Sequence, residues 1–132
     1  MLTDRTFSDL LKSFSAPDPT PGGGTAAAMA GAIGASLLVM VTGLPKSKHN
    51  SDEDRAALGN AGETLARLRD ALAQLAQADT DAYDAVVAAY RLPKATDEEK
   101  AARKSAVRRA MRRATDVPLE VMRSCAAALS HA

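Results

Sequence analysis

One aspartate in this chain sits where a leucine would be expected. Leu65, Leu68, Leu72, Leu75, Ala82, Val86 and Ala89 recur at the three-and-four spacing of a buried helical face, and Asp79 falls in register with them. A carboxylate on such a stripe is costly unless it is paired, hydrogen-bonded or protonated. Buried carboxylates in general exchange protons nearer neutral pH than exposed ones, as a general acid or base must. On a helix turning ~100° per residue, Tyr83 and Tyr90 lie within about half a right angle of Asp79. Asp81 and Asp84 point well to the other side, as solvated groups. An aspartate satisfied by a core tyrosine, or one lining a dimer seam, gives the same pattern as a proton carrier.

A second constellation is Pro19-Thr20-Pro21-Gly22-Gly23-Gly24-Thr25, followed by a run without a charged residue as far as Pro45. Glycines let a ligand touch the main chain and permit positive φ. Thr25 is the expected N-cap, and the free amides of the next helical turn form an anion site at the positive end of the dipole. The loop lacks the Gly-Lys-Ser/Thr ending of a Walker loop, and no strand precedes it as the dinucleotide fingerprint requires. Lys46, Lys48 and His49 make a basic loop after this helix, either a solvated turn or a contact for an anion. Two histidines and the single Cys125 do not suggest a metal site, and none is expected. Cys125, followed by three alanines, reads as a small buried thiol.

The elements that position these groups are helical. The 132 residues fit one domain with a real core, dominated by Ala, Leu and Val, with two Phe, two Tyr and no Trp. A first helix starts at the capping box of Thr6 and Asp9, carries Phe7, Leu10, Leu11 and Phe14 on one side, and ends before Ser15. The uncharged helix runs to about Gly43. A long helix extends from Ser51 or Asp52 to Tyr90 and stops at Leu92-Pro93. Thr96 and Glu99 cap a basic helix, and Pro118 is expected to break or restart the chain, with Asp116 as its cap.

The uncharged segment could span a bilayer by length, at ~20 residues. Its Ala and Gly content, and small residues at Ala27, Gly31 and Ala35, suit instead a buried central helix in a cytoplasmic protein. No basic-then-apolar leader opens the chain. A formal charge of +1 argues against nucleic-acid or membrane binding by the chain as a whole. The basic fourth helix has no aromatic platform beside it, so a nucleic-acid reading ranks last.

Taken together, the glycine loop, Asp79-Thr80-Asp81-Ala82-Tyr83, Arg91-Leu92-Pro93-Lys94, Thr96, Arg103 and Ala114 to Leu119 resemble the cyclodeaminase/cyclohydrolase family in order along the chain. The basic loop departs from the family pattern, with His49 where an aromatic residue is usual. The resemblance implies an all-α bundle acting as a homodimer on a tetrahydrofolate derivative, polyglutamylated or not, without metal, nucleotide or other cofactor. It implies one of two reactions at the N5/N10 bridge. One is cyclodeamination of 5-formiminotetrahydrofolate with release of ammonia; the other is hydrolysis of 5,10-methenyltetrahydrofolate to 10-formyltetrahydrofolate. Asp79 matches the family's proton carrier. Gly22, Gly23, Gly24, Thr25, Lys46, Lys48, Tyr83 and Lys94 are the substrate-binding set that the resemblance implies.

Residues 1–132 thus read as a single cyclodeaminase-like domain without the helices that follow the Val-Pro-Leu turn in the family. No formiminotransferase domain precedes it, which leans towards hydrolysis. A non-catalytic helical dimer that binds folate or another anion is the alternative that the shortened sequence favours.

Overall fold

The computed structural model describes residues 1–44 and 50–132; Lys46, Lys48 and His49 lie outside the described residues. The described residues form four α-helices and one short 3-10 turn at Leu2–Asp4, with no strand among them. Helix α1 spans Phe7–Ser15, α2 Gly23–Gly43, α3 Asp52–Tyr90 and α4 Asp97–Leu129.

Side-chain caps start three of the four. Thr6 accepts from the Asp9 amide, and Ser51 pairs reciprocally with Asp54. Thr96 does the same with Glu99. Each satisfies amides that a helix start leaves free. The Ser51 amide and hydroxyl both donate to Asp54, which holds its carboxyl below the ordinary value.

Helix α2 starts differently from the expectation. Thr25 is not its cap: the helix begins at Gly23, with Gly22 extended at the N-cap position and no side-chain cap. No glycine among the described residues has positive φ, so the triple glycine supplies an extended N-cap and the first helical turn rather than a left-handed loop. The Thr25 hydroxyl is withdrawn from capping because α3 engages it, as described below.

Pro118 does not interrupt α4, which runs through it as one helix. The missing N–H costs one bond to the preceding turn. Buried Val117 and Val121 on either side carry the helix across, the latter packed with Leu72 and Ala76 of α3 and Ala28 of α2.

Helix α3 lies between α2 and α4 and contacts both. Leu65, Leu72, Ala82 and Ala89 of the expected stripe are buried, Leu68, Leu75 and Val86 are partly buried, and Ala76, outside the expected set, is buried as well. Helices α2 and α3 run antiparallel at close range. A Cβ on Gly31 would meet Leu72 at 3.3 Å and Cys125 Sγ at 2.8 Å, and one on Gly62 would meet Thr42 Oγ1 at 2.6 Å.

Only one side of α2 is covered, so it is not the fully buried helix expected. Thr25, Ala28 and Ala35 are buried, whereas Ile33, Leu37, Met40 and Val41 are each more than half exposed. By length and hydropathy α2 could cross a membrane, but those criteria are also met by core helices of soluble proteins. Helix α1 has no buried residue, and its Phe7, Leu10, Leu11 and Phe14 border an open apolar groove against α2.

Candidate functional site

The site forms where the start of α2 meets the middle of α3. Asp79 occupies the apolar register of α3 one heptad after Leu72, so it must point towards α2. There it meets a helix start with no side chain in the way. A Cβ on Gly24 would lie 2.7 Å from both Cγ and Oδ2 of Asp79 and would overlap Oδ1. The carboxylate therefore rests against the first turn of α2, where the helix dipole favours negative charge.

Thr25, fully buried, donates its hydroxyl proton to Asp79 Oδ2 at 2.9 Å. Its oxygen also lies 3.1 Å from Thr80 Oγ1. Among the described residues the aspartate on the apolar stripe is thus partnered by a hydroxyl rather than by a core tyrosine or a cation. No buried side-chain polar atom among the described residues lacks a partner.

A cleft of about 380 Å³ lies elsewhere, under α1, but its walls are almost wholly apolar. The cleft that Asp79 lines, of about 280 Å³, is bounded by Pro19, Thr20, Gly22, Gly23, Gly24, Asp79, Tyr83 and Ala114. Three helices contribute to it, α2, α3 and α4. The glycines expose main chain to the cleft, and the amides of Gly23, Gly24 and Thr25 belong to the turn that a helix leaves without carbonyl partners. Tyr83, one turn after Asp79, brings a phenol to the same wall. The loop before α2 is tied down by Thr20, which contains the cis bond to Pro21 and donates to Asp84 Oδ1 at 3.0 Å.

The structure therefore brings together Asp79, Gly22, Gly23, Gly24, Thr25 and Tyr83. Lys94 does not join them: it is exposed in the connection between α3 and α4 and lines no part of the cleft. That connection is braced by Arg103, whose guanidinium stacks 5.4 Å from the Tyr90 ring centre and donates to the Tyr90 carbonyl at 3.2 Å. Tyr90 is thereby engaged away from Asp79. Thr80 and Asp84 were not among the expected site residues. The available signals were a hydroxyl next to the anomalous aspartate and a second acid one turn later, but neither names a partner 55 or 64 positions away.

Chemically, the arrangement offers one carboxylate at the cleft wall, with Oδ2 held by a hydroxyl and Oδ1 against Gly24 without a protein hydrogen-bond donor among the described residues. Beside it stand a phenol and a row of main-chain amides. Residues 6–132 match the family described as formiminotransferase-cyclodeaminase. The chain belongs to this family. It is 44% identical over 125 residues to a methenyltetrahydrofolate cyclohydrolase of Methylorubrum extorquens, an alignment covering 95% of this chain and 60% of that protein. It is 30% identical over 120 residues to the formimidoyltransferase-cyclodeaminase of Rattus norvegicus, covering 91% of this chain and 22% of that one. The fold is shared with formiminotetrahydrofolate cyclodeaminase of Thermotoga maritima at a TM-score of 0.77 and 23% identity, over 94% of this chain and 58% of that one. The chain thus spans about 60% of the length of its cyclohydrolase relative.

Proposed function

We propose that this chain is a folate-dependent one-carbon enzyme that hydrolyses 5,10-methenyltetrahydrofolate to 10-formyltetrahydrofolate. The observation that carries the reading is the Asp79 carboxylate, fixed by Thr25 at the floor of a cleft that also presents Tyr83 and the bare turn of α2. The 44% identity to a protein named for this hydrolysis favours it over cyclodeamination, the activity in the names of relatives at 28–32%.

In the methenyl substrate, one carbon bridges N5 and N10 and shares their positive charge. Asp79 takes a proton from water as its oxygen bonds to that carbon, giving a tetrahedral centre. The carboxyl then returns the proton to N5 as the carbon–N5 bond breaks. Loss of the remaining hydroxyl proton to solvent leaves the formyl group on N10. A positioned acid–base group contributes ~10²–10⁴-fold to such a step. The steps are addition of water, cleavage of the carbon–N5 bond and proton transfers, with no change of oxidation state, so the reaction as written uses no further cofactor.

At about 280 Å³ the cleft is slightly smaller than the ~300–1,000 Å³ of most small-molecule sites. It suits the reacting bridge, with the aminobenzoyl-glutamate end extending beyond it. A second copy of the chain against the uncovered side of α2 would enclose the rest, in a cytoplasmic homodimer. The test is turnover of 5,10-methenyltetrahydrofolate by the purified chain and by Asp79→Asn, which is expected to lose at least about 100-fold in kcat. A fully active Asp79→Asn protein would remove Asp79 from the reaction.

A further inference from the structure

Thr25 is the fully buried polar side chain among the described residues, and its hydroxyl has two oxygen neighbours but one proton. A carboxylate acting as a general base can only accept. Thr25 must therefore spend its proton on Asp79 Oδ2, and the second contact needs a proton from Thr80. The order is fixed by counting: Thr80 donates to Thr25, and Thr25 donates to Asp79. If Thr80 turned its proton elsewhere, its oxygen would compete with the carboxylate for the single Thr25 proton.

From this we infer that Thr80 is a positioning residue for the proposed hydrolysis, acting on the Asp79 carboxylate through Thr25. The inference rests on the functional reading above. The two-hydroxyl chain keeps Oδ2 occupied and leaves Oδ1 as the oxygen that takes the proton from water and passes it to N5. It also resists rotation of the carboxyl as Oδ1 gains and loses that proton. Thr80 itself touches no substrate atom; it lies on α3 beside Asp79, is half-buried, and does not line the cleft. Asp79 and Tyr83 are the ionisable side chains that do, among the described residues.

The experiment compares steady-state kinetics on 5,10-methenyltetrahydrofolate for the unaltered chain, Thr80→Val, Thr80→Ser, Thr25→Val and the Thr25→Val/Thr80→Val pair. Thr80→Val keeps the side-chain shape and removes the proton. Its kcat is expected to fall about tenfold with KM unchanged, the size of one lost hydrogen bond expressed in the transition state. Thr80→Ser, which keeps the hydroxyl, is expected to restore kcat to within about threefold. In the Thr25→Val background, Thr80→Val should add no further loss, because the path runs through Thr25. Should Thr80→Val not accumulate as folded protein, Thr80→Ala makes the same comparison.

Loss in Thr80→Ser equal to that in Thr80→Val would assign the effect to packing and overturn the inference. A full additional loss in the Thr25→Val background would overturn it too, as would an unchanged kcat in Thr80→Val. An unaltered chain that turns over with Thr80 irrelevant removes this inference alone. An unaltered chain with no turnover removes the functional reading and the inference with it.

Discussion

Gly24→Ala separates the placement of the carboxylate from the stability of the fold. The added Cβ would lie 2.7 Å from Asp79 Cγ, against an ordinary carbon contact of ~3.5 Å. Asp79 must retreat from α2 by about 0.8 Å, which stretches its 2.9 Å bond from Thr25 to about 3.7 Å, beyond hydrogen-bond range. The clashing atoms are the end of a flexible side chain, so the fold yields cheaply. Losing a hydrogen bond to a charged group costs about 1.5–3 kcal/mol, and replacing a helical glycine with alanine offsets about 0.5–1 kcal/mol. The net loss is therefore about 0.5–2.5 kcal/mol, a modest fall in melting temperature. A misplacement near 1 Å costs the chemistry up to ~100-fold. The assay pairs kcat on 5,10-methenyltetrahydrofolate with a thermal melt, using Gly34→Ala as the control. A Cβ on Gly34 meets nothing within 4 Å, so that variant should melt slightly higher with its rate intact. A Gly24→Ala protein with undiminished kcat, or one that loses rate only by unfolding, would refute the reasoning.

The remaining expectations concern the scaffold. Leu72 is fully buried among Ala28, Ala76 and Val121, so Leu72→Ala should cost about 2–5 kcal/mol, read from the midpoint of a urea transition. The Asp54 carboxyl is held below its ordinary value by the Ser51 amide and then by its hydroxyl. A lowered carboxyl contributes stability above the unfolded-state value and loses it as pH falls through the folded one. Acidification should therefore fray the start of α3, and Ser51→Ala should flatten that acid dependence in amide exchange of residues 52–55.

Legibility in the sequence followed the range of the interaction. The Thr6 and Thr96 caps were readable because donor and acceptor lie three residues apart. The stripe through Leu65 and Leu72 was readable because its period is fixed by the helix, and Asp79 stood out as its one exception. Thr25 misled because the capping rule weighs only local amides, whereas a carboxylate 54 positions away claimed its hydroxyl. Pro118 misled because the local cost of a proline is outweighed by burial of Val117 and Val121. The half-covered state of α2 was hidden by its composition, since an uncharged helix reads as buried whichever surface covers it.

The close antiparallel seam of α2 and α3 has a consequence for accuracy. A slip of one residue along a helix axis is about 1.5 Å, more than proton transfer tolerates. What prevents it is contact at Gly31 with Leu72 and at Gly62 with Thr42, the latter near the far end of α2. Residues that never meet a substrate thus act as detents on a slide, setting where Asp79 comes to rest. The tolerance of the proposed chemistry is inherited by residues several turns away, and drift there would detune the proposed hydrolysis while leaving every residue of the cleft unchanged.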